Sequence, residues 1–317
     1  MKASIPPLFT GNKTSMEKIR RKVRSFDFFS GHAFYTPALK GMFVLLGLLI
    51  VGALFGAAIT AVLTVIYGQG FAAEYGMLVS YPLMFVPPMM YAGYKSRSNA
   101  VFEQGYALDN NHFGKYGGWL CGLMATAAVI ATAFMTDFLS AQMPPMPQWL
   151  DDALTSMTQG KLWINLLCVS VFAPLFEEWL CRGMVLRGLL NARNYDGSAR
   201  FSPVWAIVIS ALFFAVIHAN PWQAIPAFIL GCLFGYIYYR TGSLKLTMLM
   251  HCVNNTVAVI CGQIDSLKDM DNWMDVLPAR QYWVLFAACA LLVILIVRAF
   301  GRIDVQSPAG NCDPVSE

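Results

Sequence analysis

Eight stretches of roughly twenty predominantly apolar residues punctuate this sequence, at 39–67, 75–94, 116–140, 162–181, 203–219, 222–240, 245–262 and 281–300. A stretch of that length crosses the hydrocarbon core of a bilayer, where every backbone N–H and C=O must find its partner inside the protein. Helices meet that demand one segment at a time. The expected fold is therefore an all-α, polytopic membrane bundle of about eight transmembrane helices. Composition agrees: of 317 residues 57% are hydrophobic and 13% charged, well below the quarter or so usual in soluble domains. Pro82, Pro87 and Pro88 should kink the second stretch, which neighbouring helices can accommodate. The absence of an internal repeat gives no support to an inverted-repeat transporter.

Placing the N-terminus in the cytosol puts 19 of the 22 Lys and Arg into cytosolic segments, leaving only Lys161, Lys268 and Arg280 outside. That bias implies a multi-pass protein of the cell membrane with both termini cytosolic. Four regions follow: a basic cytosolic segment at 1–38, N-terminal transmembrane helices at 39–150, a chemistry-bearing core at 151–262, and at 263–317 an outer loop, the last span and a tail. The first 38 residues hold seven Lys or Arg without the apolar run of a signal peptide. Their run from Lys18 to Arg24 suits contact with anionic membrane lipid. A net charge of +4 implies no nucleic-acid partner. The eight cysteines stand singly without a C-x-x-C pair, which argues against a disulfide framework or structural zinc. The Pro-rich, acidic 141–160 and the acidic 263–280 are expected to be solvated connectors.

Against this apolar background a few polar residues stand out. Glu177 and Glu178 end a lipid-compatible run, although a carboxylate at membrane depth is costly and is usually kept for work. In E-E-x-x-x-R, Glu178 and Arg182 are four apart and share a helix face, whereas Glu177 points about 100° away. Glu178 is thus expected to pair with Arg182 and leave Glu177 free. Pro174 just upstream should bend the helix. Phe214-x-x-x-His218 follows on the next apolar stretch, and His251-x-x-x-Asn255 places an imidazole and an amide on one face two stretches later. Asn254 lies off that face, as an interhelical hydrogen bonder would. Together these supply a carboxylate base, an imidazole and neutral donors for an oxyanion, which are the parts hydrolysis requires.

The three motifs, in this order and membrane setting, resemble those of the CPBP family of CAAX prenyl endopeptidases and bacteriocin-processing enzymes, over roughly residues 160–260. The resemblance implies an eight-helix intramembrane glutamic endopeptidase. Glu177 would be the catalytic carboxylate, activating water with His218; His251 and Asn255 would form the oxyanion site. Glu178 and Arg182, with Phe214, would support them, Glu178 and Arg182 orienting Glu177. The implied substrate is a membrane-associated peptide or protein, lipidated or not. No cofactor is implied; zinc is the alternative, since two His and a Glu match a catalytic zinc set in kind, although no H-E-x-x-H occurs. A non-proteolytic scaffold or immunity protein of the same fold, or a proton-coupled transporter, are the other readings. Nothing in the sequence sets an oligomeric state.

Depth poses a difficulty. Glu177 sits near the inner end of the stretch 162–181, and His251 about 9 Å in from Lys245, but His218 falls about 22 Å from Pro203. Either its helix is strongly tilted or the first turns project into the cytosol.

Overall fold

The structure, a computed structural model, describes residues 29–102, 105–158, 160–264, 267 and 272–305. The basic run Lys18 to Arg24, Cys312, Asp265, Lys268, Asp269 and Asp271 lie outside the described residues. Ten helices and no β-strand occur among the described residues. They are α1 (Leu39–Tyr67), α2 (Gln69–Asn99), α3 (Gly117–Ser140), α4 (Gln148–Thr158), α5 (Leu162–Asn191), α6 (Pro203–Val216), α7 (Pro221–Thr241), α8 (Leu244–Cys261), α9 (Trp273–Val276) and α10 (Ala279–Phe300). The chain is thus a polytopic, all-α membrane bundle. Six helices are long and apolar enough to cross a membrane: α1, α3 (extended to Gly114), α5, α7, α8 and α10. At 31 residues α2 has the length but is more polar. The apolar α6 has only 14 residues, about 21 Å.

Several boundaries differ from expectation. The helix expected to end at residue 181 continues to Asn191, because Arg182 and Arg187 are buried inside the bundle and do not reach cytosolic water. Arg187 instead gathers five carbonyls, of Gly183, His32, Ala33, Tyr35 and Tyr106, at 2.6 to 3.2 Å. It fastens two chain segments onto α5. The segment 203–219 is helical only to Val216, and the connector 141–160 contains α4. All three prolines of α2 lie within one continuous helix.

α1 and α2 form a hairpin turned by Gly68, at φ 86°. They approach closely because Gly52 and Gly56 present no side chain: a Cβ on Gly52 would lie 2.1 Å from the Met84 carbonyl oxygen. One apolar core joins this hairpin to α5 and α6 through Leu45, Phe85, Trp179 and Phe214. A second joins α3, α7, α8 and α10 through Cys121, Phe234, Met250 and Phe300. α10 is the least buried of the six, with 11% of its most apolar window inside the protein, so lipid would cover most of it.

Helix starts follow local chemistry. Ser202, Asn220 and Ser243 cap α6, α7 and α8 by accepting from Trp205, Gln223 and Leu246 N–H, and proline opens α6 and α7. The α7–α8 turn is held by residues 105–113: Asn110 N–H donates to Gly242 and His112 N–H to Thr241, both at 2.8 Å. Asp109 Oδ1 accepts from Leu244 N–H at 2.9 Å. These bonds, with that of Arg187 to Tyr106, gather the α2–α3 and α7–α8 connections and the ends of α5 and α10 at one end of the bundle, where Arg240 donates to Phe300 at 3.2 Å. Lys95, Lys115, Arg193, Arg200, Lys245 and Arg298 belong to that end.

Candidate active site

Two π-helical stretches interrupt α5, Leu166–Phe172 and Trp179–Leu186, and Glu177 and Glu178 lie on the short α-helical piece between them. π-bulges widen a helix by shifting hydrogen bonds from i+4 to i+5 and recur at functional sites. In that register, Pro174, which has no N–H, fails to serve the carbonyl of Val169. Asn255 of α8 takes its place, donating Nδ2 to Val169 O at 2.8 Å. The expected distortion at Pro174 is therefore a change of helical register with a side chain completing it.

The two carboxylates are separated as their helical faces require. Glu178 is fully buried and accepts from Arg182 Nη1 at 2.8 Å, with Arg182 also fully buried. Arg182 further donates Nη2 to Gly231 O at 3.1 Å. Its guanidinium lies 4.5 Å from the Phe214 ring centroid and 5.2 Å from that of Phe234, bridging the two apolar cores. The other partner of Glu178 is His251, whose Nδ1 lies 3.0 Å from Oε1. A carboxylate only accepts, so this nitrogen carries the proton. Glu178 and Arg182 thus hold His251, whereas the resemblance had them orienting Glu177.

Glu177 has different neighbours. Tyr81 of α2 donates its hydroxyl to Glu177 Oε1. The other oxygen, Oε2, is buried without a hydrogen-bond partner and lies 3.9 Å from His251 Nε2. That is longer than a direct hydrogen bond.

His218 follows the end of α6, in a turn that runs through Ala219 at φ 58°, a left-handed conformation unusual for a residue with a Cβ. Its Nδ1 lies 2.7 Å from Phe214 O, and Asn220 Nδ2 donates to its carbonyl at 2.9 Å. The Phe214 ring stands edge-on to both imidazoles, 4.9 Å from His218 and 5.5 Å from His251. The structure thus brings Glu177, Glu178, Arg182, Phe214 and His251 into one cluster. His218 joins it across Phe214, and Asn255 lies one turn of α8 beyond His251. Asn254 donates to Asn255 Oδ1 at 3.1 Å, not across to another helix as expected. Sequence reasoning missed Tyr81. The available signal was a hydroxyl in an apolar stretch, which calls for an acceptor.

The fold and cluster define a class: a multi-pass, all-α membrane protein with a carboxylate–imidazole centre buried between its helices. Residues 159–257 match the family described as Rce1-like, type II CAAX prenyl endopeptidase Rce1-like. Over 101 residues, 32% of this chain, the sequence is 31% identical to the membrane-embedded CAAX protease MroQ of Staphylococcus aureus (strain USA300). The match spans 40% of that relative's length. No solved structure matches. Over residues 159–257 the chain is similar to the CAAX protease family, in keeping with its three motifs.

Proposed function

We propose that the protein is an intramembrane endopeptidase of the glutamic type that hydrolyses a peptide bond in a membrane-associated, lipidated peptide or protein. The observation that carries the reading is the divided Glu177 carboxylate. One oxygen is anchored, while the other is buried, unpartnered and 3.9 Å from an imidazole nitrogen. In the reaction, Glu177 Oε2 takes a proton from water as the water oxygen attacks the scissile carbonyl carbon. The carbonyl electron pair moves onto oxygen, and His251 and Asn255 stabilise the oxyanion. Collapse breaks the C–N bond, and the proton held by Glu177 passes to the leaving amine. In this role His251 donates from Nε2. Asn255 has spent one amide hydrogen on Val169 and keeps a second.

The family resemblance gives His218 the task of assisting Glu177. The separation of 3.9 Å favours a second reading, in which His251 does so. Glutamine at each position separates them, since an amide can donate to an oxyanion but cannot accept water's proton. Residual activity in His251→Gln with none in His218→Gln supports the first reading, and the reverse supports the second.

The mechanism uses no metal. Among the described residues no group of three or more His, Cys, Asp or Glu is placed to hold one. Activity should survive exhaustive chelation; one tightly bound zinc per chain, with activity lost on its removal, overturns this part. The basic end of the bundle is assigned to the cytosol, with both termini.

The experiment is cleavage of a synthetic peptide ending in a farnesylated Cys-a-a-X sequence by the purified protein in detergent, alongside comparison of membrane proteomes with and without it. Glu177→Ala should lose about a hundredfold or more in kcat/KM. Native activity in that variant ends the glutamic reading, and complementation by it in cells would favour a scaffold.

A further inference from the structure

Tyr81 lies on α2, outside the family-matched residues 159–257, yet it is the hydroxyl that engages Glu177. Four residues further along the same helix, Phe85 stacks on Phe176, with ring centroids 5.2 Å apart and planes 14° from parallel. Two consecutive residues of α5 are thus gripped by two residues one turn apart on α2. The two grips differ in kind: the Phe85 contact fixes the helix, while the Tyr81 contact fixes the carboxylate itself.

A glutamate side chain has a soft terminal torsion, and its two oxygens are equivalent until something distinguishes them. Arg182 does not, since its contacts are with Glu178 and Gly231. A phenol is suited to the task because it donates at neutral pH without adding charge. We propose that Tyr81 is a positioning residue for Glu177, anchoring Oε1 so that Oε2 is the oxygen presented to water. The N-terminal half of the chain then contributes directly to the geometry of the centre, in addition to its membrane anchoring. The inference rests on Glu177 being the catalytic carboxylate.

The test uses full-length protein in detergent with three substitutions. Tyr81→Phe removes only the hydroxyl, Phe85→Leu disturbs the packing grip, and Glu177→Gln identifies the carboxylate band of Glu177 in infrared difference spectra. With the farnesylated peptide, Tyr81→Phe should lower kcat about tenfold with KM within about twofold, the pattern of a lost geometric constraint on chemistry. The Glu177 band should shift in Tyr81→Phe and stay in place in Phe85→Leu, and 3-fluorotyrosine at position 81 should restore kcat. An unmoved band in Tyr81→Phe, or the same shift in Phe85→Leu, overturns the proposal. The infrared arm needs no turnover, so it decides even where the native protein leaves the peptide intact. That result, or full activity in Glu177→Ala, counts against the proposed function and not against the Tyr81 contact.

Discussion

Replacing Arg182 with Met keeps much of the side chain's volume and removes its charge. Glu178, with no solvent exposure, is then left with His251 at 3.0 Å as its remaining partner. The Gly231 carbonyl loses its donor, and Phe214 and Phe234 lose the cation between them. Breaking a buried ion pair from one side costs about 3–5 kcal/mol, chiefly by stranding the other charge. At about 2–4 °C per kcal/mol the unfolding midpoint should drop by roughly 6–20 °C in a fixed detergent. Replacing both partners, Glu178→Leu with Arg182→Met, strands no ion, so the double variant should lie within about 2 kcal/mol of native. It should still be inactive, because His251 loses the acceptor on Nδ1. The assay is thermal unfolding of the four proteins of this cycle, with size-exclusion profiles to establish folding. A single variant within about 1 kcal/mol of native, or a double variant whose loss equals the sum of the singles, would refute the reasoning.

Other contacts yield sharper, smaller effects. Gly52→Ala would put a methyl 2.1 Å from the Met84 carbonyl oxygen, so the α1–α2 hairpin should lose about 1–3 kcal/mol. Gly47→Ala, with nothing within 4 Å, should be neutral or slightly stabilising, both read as unfolding midpoints. Asp109→Ala removes the acceptor for Leu244 N–H and the carboxylate 2.9 Å from Lys245 Nζ, and should cost about 1–2 kcal/mol. Its kcat should fall too, since His251 lies two turns along the helix so capped. Asn255→Leu strands the Val169 carbonyl and should cost about 1–3 kcal/mol. Adding Pro174→Ala supplies the missing N–H and should recover part of that midpoint; no recovery would count against the i+5 register.

What the sequence disclosed was local. Glu178 with Arg182 and His251 with Asn255 are four apart, and helical geometry alone puts each pair on one face. The partners that assemble the site are distant: Tyr81 is 96 residues from Glu177, His251 is 73 from Glu178, and Asn255 is 86 from Val169. No periodicity announces such contacts. The π stretches likewise have no pattern distinct from an apolar α-helix, and only Pro174 hinted at one.

The mismatch in depth between Glu177 and His218 arose from treating Arg182 and Arg187 as charges that must reach the cytosol. Each finds its partners inside the bundle, Arg182 in Glu178 and the Gly231 carbonyl, and Arg187 in five carbonyls. The helix therefore continues to Asn191, the end from which the chain turns back toward Pro203. Counted from that end, Glu177 lies about 21 Å deep and His218 about 22 Å deep. The two residues come level without a tilted α6 or a projection into the cytosol. Burying two arginines thus sets a carboxylate near the middle of a 30-residue helix level with an imidazole just beyond the end of a 14-residue one. It also explains why α6 can be short: it needs to reach only as far as the level of Glu177.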